Sequence, residues 1–430
     1  MAAPGALSLR SKVLLRLLKL RRMSPVAMAT HARRHTAHYG RAYADWDGKT
    51  FEQLPILTKK TARELSPYDF LARPYARKVF LYGETTGSSG SPTPSFFTRK
   101  EFHAATLLAH ITPHFDIVKE VFTGNRTCVN GLAFGFTVAG PSFGDMLQNL
   151  GGLVANVGSR STLATPQRIA RCITRLKPSV IASTPGDFLA WMRIVSEEYP
   201  ADYDAVVSEL RVLLSTAELC ATARQHRIEE HFGIRHIDIY ACVEGFFSLP
   251  CPCGECHVLD AYLPEVLDEG GRLLGREGTG RFVFTNLVKR STPMVRYLLD
   301  DWVTVRASSC PYGFRTSVEP HGRFELTARL DGERFGIRHF EEEMFRHGLF
   351  GDYRVEIHPK ACRITLEAYA GEPDRDALTE GLRARFKRDF ELDLVPYGGL
   401  TDYREVRQSK PILRLQDHRP VSEQTIPAHL

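Results

Sequence analysis

The sequence lacks a long uninterrupted hydrophobic run, and this absence argues against a protein that spans a membrane. The most leucine-rich stretch, Leu7 to Met23, is interrupted by arginine and lysine too often for a membrane span or a signal-peptide core. No other segment would direct export, so we expect a cytoplasmic protein with no membrane span. The same stretch predicts a basic amphipathic helix, which either lies on a membrane surface or, as we favour, packs on its own domain.

The sequence also shows little sign of a disulfide framework, a nucleic-acid platform or repeated segments. The chain has nine cysteines, an odd and mostly scattered set, so we expect a reducing compartment rather than a disulfide framework. The net charge of +6 is spread along the chain, and no aromatic residues alternate with arginine or lysine as on a nucleic-acid platform. We therefore expect no nucleic-acid partner. The sequence also lacks internal repeats and long low-complexity segments.

The order of predicted strands and helices indicates an α/β protein with two domains. From residue 100 to about residue 215, helical and apolar extended segments alternate, which predicts a mostly parallel sheet with covered faces. Short strands and turns then predict a β-rich subdomain at about 250–320, and a break at Pro320–Gly322 precedes a compact α+β unit. We expect a large N-terminal domain, 1–321, and a small mobile C-terminal domain, 322–430.

A glycine- and hydroxyl-rich stretch, Gly83 to Thr93, lies between two strand-like runs, Val79–Tyr82 and Ser95–Thr98. With few large side chains, it can bring several backbone N–H groups and hydroxyls against one anion, as phosphate-binding loops do. It lacks the Gly-Lys-Ser/Thr ending of a Walker loop, and taken alone it is better explained as a hairpin turn or surface loop. The candidate phosphate-binding residues are Thr85, Thr86, Gly87, Ser88, Ser89, Gly90 and Thr93.

Further short segments follow this loop in a fixed order. Taken one at a time, their acids and lysine are explained as helix caps, charged turns or solvated side chains. The segments are Ser215-Thr216-Ala217-Glu218, Tyr240-Ala241-Cys242-Val243-Glu244, Arg296-Tyr297-Leu298-Leu299-Asp300-Asp301, Gly322-Arg323 and Gln408 to Arg419.

In this order, and together with Leu54–Lys59, the segments resemble the adenylate-forming superfamily, most closely its phenylacetate–CoA ligase branch. Those enzymes join a carboxylate to AMP from ATP, release pyrophosphate and usually pass the acyl group to a thiol. The resemblance implies an adenylate-forming ligase that activates a carboxylic acid as an acyl-adenylate and transfers it to CoA, with ATP and Mg²⁺.

Two alternatives stay open. In the first, the acceptor of the acyl group is an amine, a carrier protein or an inorganic nucleophile such as nitrite. In the second, the chain is a degenerate nucleotide-binding protein. Relatives often dimerise, so a homodimer is compatible with the sequence.

The resemblance also implies roles for individual residues. Glu244 would bind Mg²⁺ through its hard carboxylate oxygens, and Lys410 would bridge the carboxylate and the α-phosphate as charge develops. Tyr240 would stack on adenine and Asp301 would accept both ribose hydroxyls. The residues implied to lie at the nucleotide, besides the loop, are Ala217, Glu218, Tyr240, Asp301 and, at the hinge, Arg323.

By the same resemblance, two segments line the pocket for the acid. They contain phenylalanines that favour an aromatic or flat apolar acid, although a core position is the default for each ring taken alone. Asp187 would pair with an amino or hydroxyl substituent. The pocket residues are Phe134, Phe136, Ala139, Gly140, Thr184 and Asp187.

Three thiols and an imidazole occur within seven residues, from Cys251 to His257, on a turn-rich stretch. This density is typical of a tetrahedral Zn²⁺ site. A further thiol comes from the Cys310 segment, where some relatives carry a Cys-x-Cys-Gly knuckle. The favoured interpretation is structural zinc, and free thiols or a redox pair are the alternative. The candidates, from which four ligands would be drawn, are Cys251, Cys253, Cys256, His257 and Cys310.

Overall fold

The computed structural model describes residues 9–85, 92–107, 110–405 and 414–420. The chain forms two compact units, each built from three segments. Unit 1 comprises Met1–Glu120, Phe134–Gly151 and Tyr240–Glu319, and unit 2 comprises Val121–Ala133, Gly152–Ile239 and Pro320–Leu430. The predicted α/β class is confirmed, whereas the predicted domain boundary after residue 321 stays a prediction.

Unit 1 begins with helices whose first turns carry the expected caps. Ser24 and Thr58 each accept a hydrogen bond from a backbone N–H three residues on and so cap the helix that follows. The helices are α1 (Leu9–Arg21), α2 (Pro25–His35), α3 (Ala37–Ala42), α4 (Lys59–Glu64), α5 (Arg99–Leu107), α6 (His114–Val121) and α7 (Ala139–Asn149), with 3₁₀ turns at Phe51–Gln53, Pro67–Asp69 and Arg73–Tyr75. Among the described helices, none combines the length and apolarity that crossing a bilayer requires.

Two sheets belong to unit 1. A two-stranded hairpin pairs β1 (Val79–Glu84) with β2 (Pro94–Thr98), as the sequence predicts. A seven-stranded sheet has the order β11-β10-β12-β13-β14-β9-β8 and supplies much of the unit's hydrophobic core. Its strands are β8 (Ser248–Pro250), β9 (Cys256–Val258), β10 (Tyr262–Leu267), β11 (Leu273–Gly275), β12 (Gly278–Asn286), β13 (Tyr297–Ala307) and β14 (Thr316–Arg323), of which residues 320–323 belong to unit 2.

Unit 2 contains the parallel sheet that alternation predicted. Five strands pair in parallel in the order β4-β3-β5-β6-β7, and β5 and β6 are buried along their whole length. Such strands read as continuous apolar runs because helices cover both faces. The strands are β3 (Thr127–Asn130), β4 (Leu153–Asn156), β5 (Val180–Ser183), β6 (Val212–Thr216) and β7 (Arg235–Ile239), and the helices are α8 (Pro166–Leu176), α9 (Pro185–Glu198), α10 (Pro200–Glu209) and α11 (Thr222–Phe232).

The C-terminal segment of unit 2 has the predicted α+β pattern. A four-stranded sheet of order β19-β18-β17-β20 packs with two helices around its own apolar core. The elements are a 3₁₀ turn (Phe324–Leu326), β15 (Ala328–Leu330), β16 (Glu333–Phe335), α12 (Ile337–Arg346), β17 (Gly351–Ile357), β18 (Cys362–Ala368), α13 (Arg375–Phe386), β19 (Phe390–Pro396) and β20 (Leu415–Asp417).

A buried ionic network joins this segment to the parallel-sheet region of unit 2. The Arg224 guanidinium on α11 lies 2.7 Å from Glu218 and 3.0 Å from Glu341 on α12, and all three side chains are almost fully buried. Arg414 pairs with Glu218 and with Asp352, each at 2.7 Å. Because a buried charge is costly without its partner, these ions stabilise the unit only as a set.

We predict that Arg224→Met destabilises the protein by about 3–5 kcal/mol, because Glu341 and Glu218 would then be buried with less positive charge. Denaturant unfolding gives this free energy. The matched control is Arg363→Met, whose partner Glu391 is exposed, and it should cost less than about 1 kcal/mol. Equal losses of unfolding free energy in the two variants would show that the buried network contributes no more to stability than an exposed ion pair, contrary to our prediction.

Candidate functional site

The two ends of the predicted phosphate loop meet at the base of the β1–β2 hairpin. The Thr85 N–H donates to the Thr93 carbonyl at 3.2 Å, and the Thr93 N–H donates to the Thr85 hydroxyl at 2.9 Å. Both threonines are therefore held beside each other. The other candidates of this loop lie outside the described residues: Thr86, Gly87, Ser88, Ser89 and Gly90.

Glu244 is fully buried and linked to the base of that loop through Tyr297. The Tyr297 hydroxyl donates to Glu244 Oε1 at 2.7 Å and lies 3.3 Å from the Thr93 hydroxyl. Burial, together with the negative charge of Glu244, raises the pKa of Tyr297 well above its ordinary value, so the phenol keeps its proton and donates. Sequence reasoning gave Tyr297 no role, although it stands in the Arg-Tyr segment already singled out.

The second oxygen of Glu244, Oε2, is buried and makes no geometric hydrogen bond with the described residues, and the nearby Cys242 thiol has its pKa raised by burial and by the Glu244 charge. An unpaired carboxylate oxygen in such a place is costly unless something binds it. A hard carboxylate oxygen is a preferred ligand of Mg²⁺, so this atom fits the predicted metal.

Tyr240 and Asp301 also meet within unit 1. The Tyr240 hydroxyl donates to Asp301 Oδ2 at 2.6 Å. The neighbouring Asp300 has a left-handed backbone, φ 65°, and its carboxylate pairs with Arg281 at 2.6 Å. Asp300 is therefore committed to a structural ion pair, and this supports the choice of Asp301 as the functional acid.

Lys289 is a buried cation near this group that sequence reasoning missed. Its ammonium donates to the Ser95 hydroxyl on β2 and lies 3.5 Å from the centre of the Phe97 ring. Burial lowers its pKa to about 8, and the negative charges of Glu101 and Glu244 oppose that shift. The ammonium thus partly offsets the charge of Glu244.

In unit 2, Glu218 lies beside the start of α9. Its Oε2 accepts from the Gly186 N–H at 3.2 Å, while Oε1 faces Arg224 and Arg414. The preceding Ala217 has φ 71°, a left-handed conformation that glycine adopts more easily. Glu218 therefore has a structural role in the ionic network, and its predicted place at adenine stays a prediction.

The predicted acid-pocket residues are divided between the two units. Thr184 caps α9 by accepting from the Asp187 N–H at 3.1 Å, and the buried Asp187 Oδ2 has no hydrogen-bond partner among the described residues. In unit 1, Phe136 is 71 % exposed, and its backbone carbonyl accepts a hydrogen bond from the Glu84 N–H at 2.8 Å. The remaining pocket residues of unit 1 are Phe134, half-buried before α7, and Ala139 and Gly140, in its first turn.

Of the two residues predicted for the mobile C-terminal domain, the structure describes Arg323. Arg323 ends β14 and is half-buried in unit 2, immediately before the 3₁₀ turn. Lys410 lies outside the described residues.

Four of the five cysteine and histidine candidates form one cluster. The ligand atoms of Cys251, Cys253, His257 and Cys310 all lie within 4.8 Å of one another. Cys256 is not part of this group. Two Cys-Pro-x-Gly turns carry the cluster, because the N–H groups of Gly254 and Gly313 each donate to the cysteine carbonyl three residues earlier.

A serine, a histidine and an aspartate of the neighbouring strands β6 and β7 also meet, but not in the order of a nucleophilic triad. The Ser215 hydroxyl donates to Asp238 Oδ1 and lies 2.7 Å from His236 Nε2, so the serine proton points to the acid. Burial raises the pKa of Asp238 to about 7 and lowers the pKa of His236 to about 3. This trio, in which Ser215 and His236 are buried and Asp238 is half-buried, is suited to coupling stability to pH rather than to attack on a substrate.

Comparisons with known proteins add to this geometry. No protein-family model matches the chain. It is 26% identical to the phenylacetate-coenzyme A ligase of Aromatoleum evansii over 310 residues, 67% of this chain and 66% of that protein. It is 24% identical to the enzyme of the same name from Escherichia coli K12 over 324 residues, 71% and 69% of the two chains. The matched region thus spans about two thirds of these relatives' length.

Solved structures share the fold. A crystal structure of 2-hydroxyisobutyryl-CoA ligase with 2-HIB-AMP matches with a TM-score of 0.69 at 17% identity, covering 96% of this chain and 90% of that one. The anthranilate CoA ligase AuaEII with anthranoyl-AMP matches with a TM-score of 0.52 at 14% identity, covering 79% and 65%. The predicted resemblance to the adenylate-forming superfamily and its phenylacetate–CoA ligase branch is confirmed.

We predict that Asp238→Asn weakens the pH dependence of stability. In the folded protein the pKa of Asp238 is about 7, which is above its ordinary value of 3.8. The stabilisation that the bound proton gives to the folded state is therefore complete below pH 3.8 and is lost as pH rises through about 7. The opposite shift of His236 gives stability that is present above pH 6.5 and lost as pH falls toward 3.

Because His236 remains in both chains, the difference between the wild-type and Asp238→Asn unfolding free energies isolates the aspartate. Between about pH 4 and about pH 8, we expect the unfolding free energy of Asp238→Asn to rise relative to that of the wild type by on the order of 3 kcal/mol. Denaturant unfolding at several pH values measures it, and a flat difference across that window would reject the assignment.

Proposed function

We propose that this chain, which has the acyl-CoA ligase fold and resembles phenylacetate–CoA ligases, activates a carboxylic acid with ATP and transfers the acyl group to CoA. The observation that carries the proposal is the hydrogen-bonded sequence from Thr93 through Tyr297 to Glu244, whose buried Oε2 has no hydrogen-bond partner among the residues that the structure describes. It joins the base of a phosphate-type loop to a group suited to Mg²⁺.

The chemistry has two steps. A carboxylate oxygen of the acid attacks the α-phosphorus of ATP, a P–O bond forms, and pyrophosphate leaves with its electron pair. The thiol of CoA then attacks the acyl carbonyl, and AMP leaves. Neither step needs a side-chain nucleophile, so the buried Ser215 is not required.

The chain's own residues orient the nucleotide and balance its charge. Thr85 and Thr93 donate hydrogen bonds near the phosphates, Asp301 accepts the ribose hydroxyls, and Lys410 offsets charge that develops at the α-phosphate. When bound at Glu244, Mg²⁺ would supply Lewis-acid stabilisation of phosphate oxygens. Rotation of the C-terminal domain at Arg323 would then exchange the lysine for the surface that admits the thiol.

An aromatic acid is the proposed substrate class. The phenylalanines of the 134–140 segment support it, as do the names of relatives that act on phenylacetate and anthranilate. Asp187, whose buried Oδ2 has no partner in the described parts of the chain, suits a substituent that donates a hydrogen bond. CoA is the proposed acceptor, and a cytoplasmic location is the proposed setting.

Structural zinc is a separate part of the proposal. Cys251, Cys253, His257 and Cys310 supply three thiolates and one imidazole, a set typical of tetrahedral zinc. Four protein ligands leave no open position for catalysis. The ion would therefore fasten the Cys310 turn to the Cys251 turn within unit 1.

We predict that the purified chain catalyses ATP–pyrophosphate exchange with a panel of aryl acids, and that Glu244→Gln lowers exchange by on the order of 100-fold. The matched control is Asp300→Asn, because Asp300 already pairs with Arg281 and should leave exchange near the wild-type rate.

The outcomes separate the alternatives. A chain that binds ATP but exchanges with none of the acids would be a binding protein, and undiminished exchange in Glu244→Gln would reject the metal role. Adding CoA or amines to the enzyme that holds the acyl-adenylate identifies the acceptor of the acyl group.

For the zinc site we predict about one equivalent of zinc per chain by metal analysis, lost in Cys310→Ser and kept in Cys256→Ser. The Cys256 variant removes a neighbouring thiol that lies outside the cluster, so it controls for general thiol loss. Less than about half an equivalent in the wild-type chain, or equal loss in both variants, would count against the site.

A further inference from the structure

The outward face of α1 carries a line of exposed apolar side chains. Val13, Leu17 and Leu20 are 49 %, 50 % and 75 % exposed. Their spacing of four and three residues places them on one side of the helix. We call these three residues the apolar stripe.

The opposite face of α1 is fixed against unit 1. Leu14, Leu15 and Leu18 pack on the unit's hydrophobic core, and the Ser11 hydroxyl donates to the His110 carbonyl at 2.8 Å. The expectation that this helix packs on its own domain is therefore confirmed. It follows that the apolar stripe faces away from the core that holds the helix.

The exposed charges of α1 are all positive. Lys12, Arg16 and Lys19 lie along one flank of the apolar stripe, Arg21 lies toward the other, and the helix contains no acidic residue. Lys19 also pairs with Asp260 at 3.2 Å, but both side chains are well exposed and such a pair is weak. A helix with an apolar face bordered by lysine and arginine is typical of binding in the plane of a membrane surface.

We propose that the apolar stripe and its basic flank dock on the surface of an anionic lipid bilayer. The leucine and valine side chains would enter the boundary between headgroups and acyl chains, and the basic side chains would contact anionic headgroups. The helix already bonded to unit 1 would hold the rest of the chain at that surface. This proposal does not depend on the proposed ligase activity.

Two other partners fit the surface less well. A nucleic acid would contact the basic side chains but would leave the apolar stripe without a partner. A second copy of the chain, packed stripe to stripe, would bring two strongly basic helices together, and like charges at close range oppose that contact.

The test is sedimentation of the full chain with two kinds of vesicle, phosphatidylcholine alone and phosphatidylcholine mixed with phosphatidylglycerol. We expect binding to the anionic vesicles only, weakened by added salt because salt screens the basic side chains. Leu17→Glu and Arg16→Glu should each reduce binding roughly tenfold. The matched control is Leu163→Glu, which changes another exposed leucine, in unit 2, and should bind as the wild type does.

Each other outcome overturns the proposal. Binding by Leu17→Glu at the wild-type level would exclude the apolar stripe, and equal binding to neutral vesicles would exclude the basic flank. Absence of vesicle binding, with Leu17→Glu converting a dimer to a monomer in sedimentation velocity, would assign the face to a second copy. Thermal unfolding of the variants excludes misfolding as the cause of lost binding, because the substituted side chains are exposed.

Discussion

The hydrogen bond from Tyr297 to Glu244 is the interaction on which the account of the site depends. It fixes one oxygen of a fully buried carboxylate, and the other has no hydrogen-bond partner within the described part of the chain. The same phenol lies beside Thr93, so the geometry of the loop base and the orientation of the carboxylate are set by one side chain. Because burial raises the pKa of the Tyr297 phenol, the phenol keeps its proton and goes on donating as pH rises.

Buried charge is used differently in the two units. In unit 2, Arg224 and Arg414 face Glu218, Glu341 and Asp352, so charges of both signs are paired and the set is structural. In unit 1, Glu244 pairs with a neutral phenol and is only partly offset by the more distant Lys289. A carboxylate left short of positive charge is suited to a cation that arrives with a substrate.

The sequence predicted the elements of this fold well because each is coded locally. Alternating helical and apolar extended segments predicted the parallel sheet of unit 2, and the strand-like runs Val79–Tyr82 and Ser95–Thr98 predicted β1 and β2. The partners of the site could not be predicted in this way. Tyr297 lies 204 residues from Thr93, and no local pattern distinguishes its phenol from that of an ordinary core tyrosine. In the sequence, Lys289 likewise resembles an ordinary surface lysine, and only the fold places its ammonium against the Ser95 hydroxyl.

The most direct test of the central claim is a crystal structure with ATP and Mn²⁺, since anomalous scattering from manganese locates the metal in place of Mg²⁺. The account predicts a manganese peak about 2.2 Å from Glu244 Oε2, with ribose hydroxyls at Asp301 and the phosphates beside Thr85 and Thr93. A bound nucleotide whose metal lies away from Glu244, with Oε2 still unpaired, would contradict it.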